Sequence, residues 1–497
     1  MAAEQCRRLL MFAITAWVFL PVRLSPKFVS WGVRALSTPS VRPYPSSTDS
    51  LNEVFRSKIQ GQLILAPLTR GGNLPFRRLC SDFGMEVSYS EMVYSRFLVK
   101  GDRREATRMR RPDNEKFFGV QIATNQVDEG VEAMKMAYES GADFVDLNCG
   151  CPIYEATRRG LGSSLLRSPK KLEHLVQGMI EESGNQIPLS VKIRLGCSED
   201  SINVREVVDR LRNVGAAAVT IHARTARQGY RRPADWNMIQ QVVEDGKAQG
   251  SAVPIIGNGD IMTHYEATRR MEESGVDACM VGRGALIKPW IFQEFKDGLE
   301  WEPSLEDRIE IYYKLTSYMK DYFGDDDMGR KKMSYFLPWH FSFFNRYQSY
   351  PESSFKEESL TSPLIHRRIE LADDASPLEI LFHHGSDDAH ARIADTLWSS
   401  LNSADAIRQL QKFAESTDFQ EIRERIEIED DNEKEDTTEL ANIPEGSKKT
   451  HWKGRKSRER RGPKPLRTPE EIAAIRAERA AKKARLEAEQ RALADSP

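Results

Sequence analysis

The chain has 497 residues, with 72 Lys+Arg against 74 Asp+Glu, and is 40% hydrophobic and 9% aromatic. That is too long for one average domain of ~150 residues, although an α/β barrel alone can occupy ~250, and a formal charge of −2 excludes a uniformly polycationic nucleic-acid binder. Six cysteines, at 6, 80, 149, 151, 197 and 279, are too few and scattered for a disulfide scaffold and lack zinc-finger spacing, so a reducing compartment and no metal site are expected.

Residues 1–50 carry Arg7, Arg8, Arg23, Lys27, Arg34 and Arg42 but only Glu4 and Asp49 as acids. Such a leader is expected to be disordered and to act as an organellar (mitochondrial or plastid) transit peptide; a secretory signal competes, because Leu9 to Leu20 resembles an apolar signal core. The apolar stretch from Leu9 to Val22 falls short of the ~20 residues that cross a bilayer, so no membrane span is expected.

Eight short apolar, β-branched runs follow: 63–68, 87–92, 117–122, 144–149, 189–194, 218–223, 254–259 and 278–283. Amphipathic segments such as 126–140 and 203–214 separate them, and the spacing suits strand, loop and helix. Eight β/α units in about 220 residues predict a closed parallel (β/α)8 TIM barrel over residues 58–300. A smaller helical domain over 303–415, an acidic linker over 416–444 and a basic tail with a terminal helix over 445–497 complete the expected organisation. The tail carries sixteen basic residues against eight acids, a composition that solvates itself or neutralises phosphates.

A barrel of this kind does its chemistry where the strands end. Those ends read Pro67-Leu68-Thr69, Glu91-Met92, Gln121, Asn148-Cys149-Gly150-Cys151, Lys192 to Arg194, His222 to Arg224, Asn258-Gly259-Asp260 and Gly282-Arg283-Gly284. The last two combine small residues with a cation after strands seven and eight, where barrels commonly hold phosphate. Lys192, inside an apolar run, is either one half of a structural ion pair or a cation facing the electron-rich end of a bound ring, with Gln121 reaching the same ring. His222 is either a satisfied core residue or an anion contact. A cysteine in the Asn148 to Cys151 segment could be an inert hydrophobe, a nucleophile or a proton donor. A thiol of ordinary pKa near ~8.5 is mostly protonated at neutral pH, and no activating base lies nearby in sequence, which favours the general acid. The aromatic run from Tyr335 to Phe344 reads as core more than as a stacking platform.

In order, APL, NxGCP, GSxLL, VKIR, IHAR, NGDI and GRGAL make residues 63–299 resemble the tRNA-dihydrouridine synthase family. APLTRGGNLPFRRLC, FFGVQIATNQ and GRGALIKPWIFQE are similar to its eukaryotic uridine-47 subgroup, although the CCCH zinc fingers usual there have no counterpart in the first 60 residues. The resemblance implies bound FMN reduced by NAD(P)H, with Pro67, Leu68, Thr69, Gln121, Lys192, His222, Asn258, Gly259, Asp260, Gly282 and Arg283 at the flavin. It implies that hydride reaches uracil C6 from flavin N5 while Cys151 protonates C5, with Asn148 positioning the base. Glu91, Arg158, Arg159 and Arg224 are then candidate substrate contacts, the arginines at RNA phosphates. The expected partner is tRNA, with other RNA as a further possibility, and the expected state is a monomer without metal or membrane. The resemblance points to cytoplasm or nucleus, against the leader. Two other readings stand beside this one. Another FMN barrel reducing a small molecule would need no RNA-binding extension, and a catalytically idle RNA-binding protein would tolerate Cys151→Ala.

Overall fold

The computed structural model describes residues 48–425. Nearly all of the leader, most of the acidic segment and the whole basic tail lie outside the described residues. Nine parallel strands form one closed barrel: β1 (Leu63–Leu65), β2 (Val87–Tyr89), β3 (Val93–Tyr94), β4 (Phe117–Ala123), β5 (Phe144–Cys149), β6 (Leu189–Arg194), β7 (Val219–His222), β8 (Ile255–Asn258) and β9 (Ala278–Val281). β1 pairs with both β2 and β9, which closes the ring. β2 and β3 both pair with β4, so together they form one broken stave of an eight-stave barrel.

Strand parity decides which residues can do chemistry, because successive side chains point to opposite faces. On β5, Val145, Leu147 and Cys149 belong to the apolar layer under the outer helices, and Phe144 belongs to the barrel interior. Asp146 and Asn148 share the Phe144 face. On β6 the outward set is Leu189, Val191 and Ile193, which turns Ser190, Lys192 and Arg194 inward. The register sets Asn148 beside Lys192, Arg194 beside His222, and His222 beside Asn258. Polar residues from separate strands therefore form one tier at the C-terminal mouth.

Below that tier the interior is filled. Phe144 reaches across because Gly119 leaves room, where a Cβ would stand 2.1 Å from its ring. Phe117, Tyr89 and Phe55 gather around Phe144 with ring centroids 5.0 to 5.2 Å away. Phe55 and Ile59 come from the helix Thr48–Ile59, which closes the barrel's lower end. This helix begins inside the stretch expected to be leader.

Helices Leu305–Phe323, Asp327–Phe344, Glu352–Thr361, Pro377–His383, Asp387–Ser399 and Ser403–Ala414 follow the barrel. Their apolar faces continue the layer around the strands, and the whole forms one compact unit. Residues 417–425, expected to be linker from 416 onward, are helical; Phe419 is buried against Phe413 and His384, an apolar anchor that the acid count concealed. No helix among the described residues is long and apolar enough to cross a membrane.

Candidate active site

The mouth encloses a cup of about 390 Å³, within the ~300–1,000 Å³ of small-molecule sites. Its wall contains Pro67, Leu68, Thr69, Gln121, Asn148, Cys151, Lys192, His222, Arg224, Asn258, Gly259, Asp260, Gly282 and Arg283. With Met92 from the stave of β2 and β3, eight strand ends thus supply one cavity.

One side of the cup is cationic and anchored by a single buried carboxylate. Asp260 Oδ2 accepts from Arg224 Nη2 and from Ala234 N at 2.8 Å, and Oδ1 accepts from Arg283 Nη2 at 3.0 Å. His366, from the helical segment, stands 3.4 Å from the same Oδ1. Asp260 holds a left-handed φ of 50°, and Gly259 precedes it with φ 145° and no space for a side chain, since a Cβ would lie 2.6 Å from Ala234 Cβ. Burial, then the cations Arg194, Lys192, Arg224 and Arg283, hold the His222 imidazole well below its ordinary pKa, so it is neutral at pH 7. The two glycines of the GRG turn differ in role. A Cβ on Gly284 would strike Ile261 O at 2.2 Å, whereas one on Gly282 would meet nothing closer than 3.5 Å. Gly284 is required by packing; at Gly282 the missing side chain leaves space that faces the cup.

The opposite side is an amide relay. Asp146 accepts from Ser190 Oγ at 2.7 Å and from Gln121 Nε2 at 2.8 Å, Gln121 Oε1 accepts from Asn148 Nδ2 at 2.8 Å, and Asn148 Oδ1 accepts from Cys151 N at 3.0 Å. A carboxylate at one end fixes the orientation of both amides. Lys192 Nζ donates to Asn258 Oδ1 at 3.0 Å, so its hydrogen-bond partner is an amide and not the strand-end acid of an ion pair. Burial pulls the Lys192 ammonium down and the Asp146 carboxyl up, and each charge partly offsets the shift of the other.

Cys151 sits in the loop after β5, clamped at both ends of its peptide. Asn148 Oδ1 takes its N–H, and Ser163 N donates to its carbonyl at 2.9 Å. Gly162, at φ 62°, permits that approach, because a Cβ there would lie 2.4 Å from Cys151 O. Arg194 Nε holds the neighbouring Gly150 O at 2.8 Å. Burial pushes the Cys151 thiol above its ordinary value, against a weaker pull from Arg194, so the thiol keeps its proton at neutral pH. Cys149, two residues earlier, points outward and is fully buried.

Of the expected substrate contacts, Asn148 and Arg224 line the cup, Arg158 and Arg159 stand at its rim, and Glu91 lies off its wall. Arg224, expected at an RNA phosphate, is buried in the cup wall and paired with Asp260. Glu91 stays off the cup wall; its Oε1 accepts from Arg70 N at 2.6 Å and stabilises the turn after β1, where Arg70 has φ 67°. Arg158 and Arg159 are exposed on the rim. The aromatic run divides: Leu337, Phe341 and Phe344 are core, but Trp339 and Phe343 line the cup together with Ile365. Tyr230 was also missed; its ring lies 4.1 Å from the Arg283 guanidinium. Their spacing of four along one helix was a legible signal for Trp339 and Phe343, whereas nothing local marked Tyr230 within a basic loop.

This is a (β/α)8 barrel whose C-terminal mouth is built as a ligand cup, cationic on one side and carrying a protonated thiol on the other. Residues 64–374 match the family described as Dihydrouridine synthase (Dus), and the chain belongs to that family. A curated tRNA-dihydrouridine(47) synthase of Coprinopsis cinerea is 39% identical over 305 residues, covering 60% of this chain and 45% of that protein. One from Cryptococcus neoformans is 41% identical over 306 residues, covering 59% and 42%. A Homo sapiens protein named tRNA-dihydrouridine(47) synthase-like is 38% identical over 296 residues, covering 59% and 44%. The chain spans a little under half the length of these relatives.

Proposed function

We propose that the protein reduces the C5–C6 bond of a uridine in tRNA, position 47 by similarity to its relatives, to give 5,6-dihydrouridine, with FMN as resident cofactor and NAD(P)H as reductant. The observation that carries this reading is the presence of Cys151 on the wall of the same cup as Lys192 and Arg283.

The residues fit FMN. Arg283, neutral His222 and the backbone at Gly259 and Gly282 suit a phosphate, and the open space at Gly282 suits its approach. Lys192 and Gln121 suit the polar edge of a ring, with Pro67 to Thr69 and Met280 as apolar and backbone wall. Bound and reduced, FMN supplies the hydride that adds at uracil C6. The chain's part is to hold the base and to deliver a proton. Asn148, oriented by the relay from Asp146, steadies the pyrimidine, and the Cys151 Sγ–H gives its proton to C5 and leaves a thiolate. Burial keeps the thiol protonated before the step, so the proton is in place when C5 needs it, at the cost of a weaker acid than a free thiol. Trp339 and Phe343 help exclude water from the cup.

The test is to purify the protein, read its flavin spectrum, and map dihydrouridine in tRNA from cells lacking it and cells carrying wild type or Cys151→Ala. Dihydrouridine restored by wild type alone is expected; equal restoration by Cys151→Ala would remove the thiol from the mechanism. The leader composition supports organellar import, tested by imaging a C-terminally tagged chain with and without residues 1–47.

A further inference from the structure

Beside the Cys151 edge of the cup, the rim carries exposed rings interleaved with unpaired cations. Tyr154 is 73% exposed, Ile153 42% and Phe97 37%. Arg158 lies 5.9 Å from the Tyr154 ring centroid; Arg159 lies 5.1 Å from Phe97 and 5.5 Å from Tyr94. Tyr94 and Phe97 meet edge to face at 5.9 Å. The cluster is fixed and not merely floppy surface. Asn125 Nδ2 holds Arg159 O at 3.1 Å, and Tyr94 packs on the same small core as Cys151, formed by Met92, Ala123, Ala156 and Leu161. Neither Arg158 nor Arg159 has a carboxylate within ion-pair distance among the described residues. Apolar rings held open to water next to uncompensated guanidinium groups match what unstacked nucleotides require: a π face for each base and a cation for each phosphate.

We infer that Phe97 and Tyr154, with Arg158 and Arg159, form a stacking platform for the single-stranded nucleotides on either side of the reacting uridine. The inference rests on the proposed uridine reduction for its occupant and adds how the strand is held once the base leaves its stack. Removing a base from a helix exposes its neighbours, and a ring surface at the rim repays part of the lost stacking. Tyr154 follows Cys151 and Ile153, both on the cup wall, so the flanking bases rest on the platform while the uracil reaches the thiol.

The test uses full-length holoprotein without NAD(P)H, fluorescein-labelled octauridylate, and an RNA duplex of equal charge. Thermal melting checks that each variant is folded. Phe97→Ala and Tyr154→Ala are each expected to weaken octauridylate binding by about tenfold; Tyr154→Phe is expected to bind as wild type does. Arg158→Ala with Arg159→Ala is expected to flatten the salt dependence of binding, by about 0.7 per charge in log–log slope. Folded double ring variants that bind within twofold of wild type would overturn the platform. So would a wild-type preference for duplex, a Tyr154→Phe loss equal to that of alanine, or ring variants that instead change the oligomeric state. Failure of the parent reading appears separately: wild type forming no dihydrouridine while ring variants still lose octauridylate would leave the platform and remove the reductase.

Discussion

Asp260→Asn isolates the charge that holds the cationic side of the cup. Asparagine keeps the shape and tolerates the left-handed φ of 50° at this position, so backbone strain is unchanged. What is lost is the counter-charge of Arg224, whose side chain is 0% exposed, and of Arg283, at 17%. Breaking a buried pair by removing one partner costs about 3–5 kcal/mol. The low end applies here, because Arg224 keeps Arg232 O as an acceptor and Arg283 can turn toward water. With an unfolding entropy of about 2.1 cal/mol/K per residue, the 378 described residues give a Tm drop of about 4 °C for 3 kcal/mol. An unneutralised arginine pair is also a better anion site, so inorganic phosphate at ten times its Kd should return about 1.4 kcal/mol, roughly 2 °C, to flavin-free Asp260→Asn. Wild type, compared with chloride at matched ionic strength, should gain less. The assay is differential scanning fluorimetry in both salts. A variant melting within 1 °C of wild type, or phosphate stabilising both equally, would refute the view that Asp260 balances two cations at an anion site.

The proposed role of Cys151 as proton donor sets an alkaline limit. Since burial raises the Cys151 pKa, proton delivery is expected to be flat through neutral pH and to fall only above about pH 9; a limb near pH 7 in single-turnover uridine reduction would contradict a protonated resting thiol. Gln121→Met cuts the link between Asp146 and Asn148, and single-turnover rates at saturating FMN should fall about tenfold, the equivalent of one hydrogen bond of ~1.4 kcal/mol. An unchanged rate would show that Asn148 is oriented by other means. Burial lowers the pKa of His222, of His366 and, to about 3, of His340. Each therefore binds its proton more readily unfolded. Their contribution is fully present above an unfolded pKa of about 6.5 and is lost as pH falls toward the folded values, with a slope of up to about 1.4 kcal/mol per pH unit each. Urea unfolding at pH 7 and pH 5 should show lower stability at pH 5, and His340→Gln should reduce the difference.

The strand ends were legible because parity and period are local properties. β5 and β6 begin and end where their apolar runs do, and the polar residue closing each run marks the mouth. Four features needed the third dimension. The second stave breaks into β2 and β3 because Glu91, between them, turns to hold Arg70 N from the first strand's loop. Arg224 looked like a surface charge until Asp260, 36 residues later, was placed against it. Trp339 and Phe343 looked like core because hydrophobicity marks burial but not which cavity is being lined. The relay through Asp146, Gln121 and Asn148 draws on two strands whose pairing fixes its order, and no spacing in the sequence encodes it.

The helix under the barrel has a consequence for maturation. Leu51, Phe55 and Ile59 are each at most 1% exposed, and hiding such side chains from water is worth about 1.5–3 kcal/mol apiece. Losing all three would consume a large part of the 5–15 kcal/mol that keeps a typical domain folded. A protease that trims the amino-terminal stretch leaves the barrel intact if it cuts ahead of Thr48; a cut a dozen residues further in would pull the cork from the barrel.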